Sequence, residues 1–441
     1  MSSTIIKRHR FKNGLQLLYQ PSAQAIPITH LYVFCKVGSA YEQEPIRGAS
    51  HFVEHMCFKG TEKVKKVKNL LMQYNQIGAE FNAYTTNQHT AYYIKCDDQF
   101  FENSYHALSD ILLHSTFPKK EFDKEQHVVI EEQIRKEDSP LATLDDQLNQ
   151  IYYAGSSYAK PVDTIEYHPT PTHLKHKDMV AWYKWFYVPS NMIVSIVSNL
   201  PFSTILKTVS SSELAQPVQR ETDFPKDALS TPVLSLPPIS GIHYHFHHKK
   251  GMSSSIISIG FRTCSHYSKD RYSLQVLKAV LSGFTGRLFT EFRTKRGLTY
   301  RSSCGMDYHE HTGYFSFFLQ TDPQKILTVL SILLELIMDL KWNGVSEEEI
   351  HRAKGFLKGN HLLSMQSMDV FALYNGIESI YAEEDFTPYQ DLYTKNLARI
   401  TKKQVVDTID KYFKRENMVV CILHDKEIPK KQVEEICDRF H

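Results

Sequence analysis

Alternation of apolar and polar positions over short runs places strands near residues 14–19, 30–36, 79–85 and 90–96. Apolar residues returning every three or four positions place helices near 48–58, 65–76, 99–114 and 119–136. The most apolar window, Ile326 to Leu340, holds Glu335 and Asp339 and reads as a core helix, not a membrane span. Phe284, Phe289 and Phe292 form an aromatic stripe expected in a core.

The pattern repeats along the chain. Thr90-Ala-Tyr-Tyr-Ile returns as Thr312-Gly-Tyr-Phe-Ser, 222 positions later. Pro118-Lys-Lys-Glu-Phe122 returns as Ser346-Glu-Glu-Glu-Ile350, with proline or serine where a helix should start. Asn191-Met-Ile-Val returns as Asn417-Met-Val-Val. Pro217, Pro225, Pro232, Pro237 and Pro238 crowd into a polar stretch between the halves that suits a linker. The expectation is an α+β protein of two tandem homologous domains, each an antiparallel-rich sheet with helices packed on one face. Their bounds are 1–215 for the N-terminal domain, 216–240 for the Pro-rich linker and 241–441 for a homologous C-terminal domain.

Composition narrows the function classes. The 441 residues are 42% hydrophobic and 23% charged, so the chain buries a core. With 51 basic against 49 acidic residues, a net charge of +2 supplies no field to gather nucleic acid or anionic lipid. Seven cysteines without C-x-x-C spacing read as reduced thiols. The stretch from Met1 to Gln20 has neither a signal-peptide run nor an Arg/Ser-rich presequence, and a cytoplasmic protein without a membrane anchor is expected.

His51-Phe-Val-Glu54-His55 spells H-x-x-E-H, the reverse of the usual zinc-protease helix motif. On a helix, His51 and His55 lie one turn apart on one face with Glu54 beside them, while Phe52, Val53 and Met56 turn toward a core. The same letters also suit a plain surface helix, so a third ligand decides. Glu125 and Glu132, seven apart in a charged helical stretch, share a face and offer carboxylates, although such a stretch also suits a solvated face. Two histidines and one carboxylate leave a fourth zinc position for water. Glu54 would then activate the zinc-bound water for attack on a peptide carbonyl and pass the proton to the leaving amine.

Gly48-Ala-Ser-His51-Phe-Val-Glu54-His55-Met-Cys-Phe-Lys-Gly60-Thr, Asn82-Ala-Tyr-Thr85, Glu125 through Glu132 and Phe292-Arg293-Thr-Lys-Arg-Gly-Leu-Thr-Tyr300 together carry a resemblance. Over nearly its whole length the chain resembles the pitrilysin/insulinase family of zinc peptidases, in the half-length branch that includes mitochondrial processing peptidase subunits and bacterial relatives. The resemblance implies one zinc per chain, held by His51, His55 and Glu132, with Glu125 orienting a ligand histidine. It implies that Tyr300 steadies the oxyanion and Arg293 holds a substrate carbonyl, where the letters alone suggest a core aromatic and a salt bridge. Gly297 between them is the expected helix terminator. Asn82, Ala83 and Tyr84 would lie on an edge strand that an extended peptide joins, or in an ordinary hairpin.

A two-repeat chain with all these residues is expected to work as a homodimer on short unstructured peptides or presequence-like segments, with a heterodimer with a related subunit also open. A non-catalytic scaffold subunit and a maturation protease for one precursor remain as alternatives. Lys160-Pro-Val-Asp-Thr and Ser198-Asn-Leu-Pro depart from the family pattern without touching the zinc ligands. His243, His245, His247 and His248 form a second cluster, with no carboxylate or cysteine beside it.

Overall fold

The computed structural model describes residues 6–43, 46–162, 174–217, 236, 241–382, 385–426 and 428–440, without the side chains of residues 137 and 140–145. In chain order, the first half carries β1 (Lys7–Arg10), β2 (Gln16–Pro21), β3 (Ile28–Cys35), α1 (Ala49–Cys57), α2 (Val67–Asn75), β4 (Glu80–Thr85) and β5 (Thr90–Asp97). It continues through α3 (Phe101–Leu113), α4 (Lys119–Glu137), α5 (Pro140–Tyr152), α6 (His176–Phe186), β6 (Met192–Ser198) and α7 (Phe202–Ser211). The second half carries β7 (His243–His248), β8 (Ser255–Thr263), α8 (Asp270–Leu281), β9 (Thr299–Tyr308), β10 (Gly313–Thr321), α9 (Ile326–Asn343) and α10 (Glu347–Ser364). It ends with α11 (Asp369–Ala382), α12 (Tyr389–Lys395), α13 (Lys402–Tyr412), β11 (Met418–His424) and α14 (Lys430–Cys437).

The chain divides into two compact units, Met1–Asp146 with Ser157–Val233 and Met365–Gln390, and Gln147–Ser156 with Leu234–Ser364 and Asp391–His441. Among the described residues, the first sheet runs β1-β2-β6-β3-β5-β4 and the second β7-β11-β8-β10-β9. Setting β1 aside, the two orders are the same. Each has one parallel pair, β2 with β6 and β7 with β11, in an otherwise antiparallel sheet. The repeat read from the letters is therefore a repeat of topology: Thr90 opens β5 as Thr312 precedes β10, and Asn191 precedes β6 as Asn417 precedes β11. The expected α+β architecture is the observed one. The linker expected at 216–240 falls outside the described residues except for 216, 217 and 236.

In the first unit, Leu17, Leu31, Val33, Tyr92, Ile94 and Val194 turn one sheet face into a core shared with α1, α3 and α6. Leu18, Tyr32, Phe34 and Ile193 alternate to the other face, as the two-residue strand period requires. That face is covered by Phe371 and Ala372 of α11, a segment from far along the chain. Gly376 meets Phe34 so closely that an added Cβ would sit 2.1 Å from its ring. In the second unit, Ile257, Ile259, Phe315, Phe317, Val420 and Ile422 share a core with α8, α9 and α13. Its other face takes residues 147–156, where Arg262 Nε donates to the Tyr152 carbonyl at 2.7 Å.

One expectation from the aromatic stripe fails. Phe292 is fully buried, but Phe284 is 85% exposed. It follows Gly283, whose φ of +82° turns the chain out of α8 into an open loop. All seven cysteines are buried free thiols. No helix among the described residues is long and apolar enough to cross a membrane.

Candidate metal centre

The centre is built on α1. Gly48 has a φ of +82°, a conformation glycine adopts without strain, and it has no side chain to cap the helix it precedes. Glu42 acts as the cap from the preceding loop. Its Oε2 accepts the Gly48 N–H at 2.7 Å and its Oε1 the Ser50 N–H at 2.8 Å. The carboxyl is only 1% exposed, and burial pushes its pKa up against the pull of those two N–H groups. On the opposite side Phe52, Val53 and Met56 are sealed in the core, which fixes the rotation of α1 and turns His51 and His55 outward.

His51 and His55 point their Nε2 atoms at each other across 3.1 Å, and His55 Nε2 lies 3.5 Å from Glu132 Oε2 on α4. Tetrahedral zinc with ligand bonds of about 2.0–2.1 Å sets its ligand atoms about 3.3–3.4 Å apart. The two separations at His55 match one ion of that size, and the ligand atoms of all three side chains lie within 4.8 Å of one another. They are the one group of histidine, cysteine and acidic ligands so gathered among the described residues. The histidines of β7 are not brought together in this way. Three donors of nitrogen and oxygen type suit zinc and leave a position open.

Glu125, one helical face back along α4, is 5% exposed. Its Oε1 lies 2.9 Å from His55 Nδ1 and its Oε2 2.6 Å from Lys59 Nζ. An Nδ1–H donated to this carboxylate leaves Nε2 unprotonated and free to ligate. Burial alone would raise the Glu125 pKa, yet the bonds from His55 and Lys59 outweigh it and hold the carboxyl below its ordinary value. For His55, burial pushes the pKa down, and the carboxylates of Glu125, Glu54 and Glu132 more than reverse it.

Glu54 stands on the same turn of α1, 9% exposed, and its Oε2 accepts the Thr85 hydroxyl at 2.6 Å. These groups line an open cavity of about 590 Å³ with Asn82, Ala83, Tyr84, Lys59 and Lys136. Lys136 Nζ is paired with Asp146 at 2.6 Å. Because β4 ends the sheet order, one edge of Asn82, Ala83 and Tyr84 has no partner strand among the described residues.

Arg293 and Tyr300 belong to the second unit. Arg293 lies in the last residues of a π-helical turn, Phe289–Thr294, and its Nη1 donates to the Thr299 carbonyl at 3.1 Å. Tyr300, in β9, is 69% exposed. Gly297 between them has a φ of +59° and closes the turn as expected.

Three side chains escaped the sequence reading. Thr85 was in view, since strand alternation puts it on one face with Phe81 and Ala83, toward α1. Lys59 lies beyond the end of α1 and Glu42 before its start, so no helical period reaches either.

A metal-ligand helix and a distal carboxylate on the first of two repeated α+β units define the class to which such a chain belongs. The model described as insulinase (peptidase family M16) matches residues 21–164, which contain every residue of the candidate centre. The model described as the peptidase M16 inactive domain matches residues 173–357. The chain belongs to the insulinase family, peptidase family M16. It is 27% identical over 375 residues to the uncharacterized zinc protease YmxG of Bacillus subtilis, covering 84% of this chain and 87% of that one. It is also 27% identical over 363 residues to an uncharacterized zinc protease of Rickettsia felis, covering 81% and 84%. The fold matches the crystal structure of a protease from Helicobacter pylori with a TM-score of 0.84 at 21% identity, over 95% of this chain and 99% of that one. A putative M16-like peptidase from Alicyclobacillus acidocaldarius matches with a TM-score of 0.81 at 18% identity, over 96% and 99%.

Proposed function

We propose that the protein is a zinc-dependent endopeptidase acting on short, unstructured peptides or presequence-like segments. The observation that carries this reading is the convergence of His51, His55 and Glu132 at zinc-ligand spacing, with the Glu54 carboxylate on the same helical turn. Zinc supplies Lewis-acid chemistry at such a site, drawing charge from a carbonyl and making a coordinated water more acidic.

The chain's own groups do the rest. Glu54 takes the proton released as water attacks the carbonyl and returns it to the departing amine. Glu125 holds the tautomer of His55, and Lys59 holds Glu125. The free edge of β4 accepts an extended peptide by main-chain hydrogen bonds, which favours unfolded substrates and makes little demand on side-chain identity. Arg293 and Tyr300 bind substrate and the developing oxyanion in a homodimer in which the second unit of one chain serves the first unit of its partner.

The test is Glu54→Gln, measured for metal content and for cleavage of a quenched peptide. Zinc retained with cleavage abolished is the expected result; undiminished cleavage would remove Glu54 from the mechanism.

A further inference from the structure

We infer that Thr85 is a positioning residue that ties the orientation of Glu54 to edge strand β4, so that the strand offered to a peptide also sets the base. The inference rests on the peptidase reading above. The Thr85 hydroxyl donates to Glu54 Oε2 at 2.6 Å, within the short range of hydrogen bonds to a carboxylate. A glutamate side chain has several rotatable bonds. Fixing one oxygen selects one orientation of the carboxylate.

Thr85 is itself held. It is the last residue of β4, paired with Thr90 of β5. One residue on, the Thr86 carbonyl accepts the Ser39 N–H at 3.2 Å, and the Asn87 carbonyl accepts the Ala40 N–H at 2.9 Å. Asn87 Nδ2 donates to Ser39 Oγ at 3.0 Å and to the Lys160 carbonyl at 2.8 Å. Gly38 makes this junction possible, because a Cβ there would sit 2.1 Å from the Thr86 carbonyl oxygen. The strand end is therefore clamped, whereas the outer edge of β4 has no partner strand among the described residues and can pair with a peptide. A peptide that joins that edge restrains β4 further, and through Thr85 it restrains the base.

The experiment compares parent, Thr85→Val, Thr85→Ser, Glu54→Gln and the double variant Thr85→Val/Glu54→Gln, all zinc-loaded. Zinc per chain is measured first and should be the same in all five, which also reports that each folds. The first readout is the affinity of a peptide hydroxamate, a metal-chelating group whose acidic proton is shared with a carboxylate placed as Glu54 is. Thr85→Val should weaken it roughly tenfold, the scale of one hydrogen bond to a charged group, with Thr85→Ser within about threefold of the parent. In the Glu54→Gln background Thr85→Val should add nothing, because Thr85 acts through Glu54. The second readout is peptide cleavage, where Thr85→Val should lower kcat roughly tenfold with KM changed less than about twofold.

If Glu54→Gln weakens the hydroxamate and Thr85→Val does not, the Thr85 inference is overturned and the peptidase reading stands. If Glu54→Gln itself has no effect, both fall. A Thr85→Ser variant as impaired as Thr85→Val would also overturn the inference, since the hydroxyl would not be the operative group.

Discussion

The arrangement of Lys59, Glu125 and His55 makes a quantitative prediction for Glu125→Gln. Each carboxylate oxygen has one partner, His55 Nδ1 at 2.9 Å and Lys59 Nζ at 2.6 Å, in a setting where Glu125 is 5% exposed. Glutamine keeps the shape and supplies a single oxygen. If the lysine takes it, the amide NH₂ faces His55 Nδ1 and selects the tautomer protonated on Nε2, the atom needed by the metal. If the histidine takes it, the NH₂ faces an ammonium and leaves that charge unpaired. The first arrangement costs the bond that sets the His55 tautomer, about 1.5–3 kcal/mol, or roughly ten- to a hundredfold in zinc affinity, and it is favoured because the second leaves an ammonium unpaired. Competition against a chromophoric chelator measures it, with the melting temperature of the metal-free protein as a check on folding. A zinc affinity within about threefold of the parent would refute the claim that Glu125 governs the ligand.

Further predictions concern the cap, the second unit and assembly. Glu42→Ala strands the Gly48 and Ser50 N–H groups in a buried site and should destabilise the protein by about 1–3 kcal/mol, read by urea unfolding, with weaker zinc binding beside it. Glu349, held by Arg287 at 2.6 and 2.8 Å, has its pKa lowered from 4.5 to about 2: burial raises it, and the Arg287 bonds more than reverse that. Its stabilisation is present above the unfolded value and is lost as pH falls through about 2, so Glu349→Gln should cost up to about 3 kcal/mol at neutral pH and flatten the acid limb of a thermal-stability profile. Mixing inactive Glu54→Gln and inactive Tyr300→Phe chains should restore about a quarter of parental cleavage, because mixed dimers then hold one intact pairing of units; no recovery would exclude composite sites.

Much of the centre was legible because helical geometry is local. His51, Glu54 and His55 are fixed by period and by the apolar residues between them, and Glu125 and Glu132 share a face by their sevenfold spacing. The sheet order was legible as far as the halves repeat. The rest is tertiary. Lys7–Arg10 is wholly exposed and carries no alternation, so β1 left no mark in the pattern. Helix α11 buries Phe371, Ala372, Asn375 and Gly376, and nothing in its letters says that the sheet it covers is built from the other end of the chain. Asn375 Nδ2 donates to Gln20 Oε1 at 2.8 Å, a buried pairing across 355 positions that no window reaches. Phe284 was misplaced because it was grouped with Phe289 and Phe292 as core, whereas it sits in the loop that follows α8 just after Gly283.

Peptide cleavage at this centre depends on the ion. Crystals of the zinc-loaded protein, with diffraction recorded above and below the zinc absorption edge, test its place directly. A single anomalous peak per chain, about 2 Å from His51 Nε2, His55 Nε2 and a Glu132 carboxylate oxygen, is the expected result. A peak elsewhere, at the histidines of β7 for instance, or none between these three side chains, would contradict it.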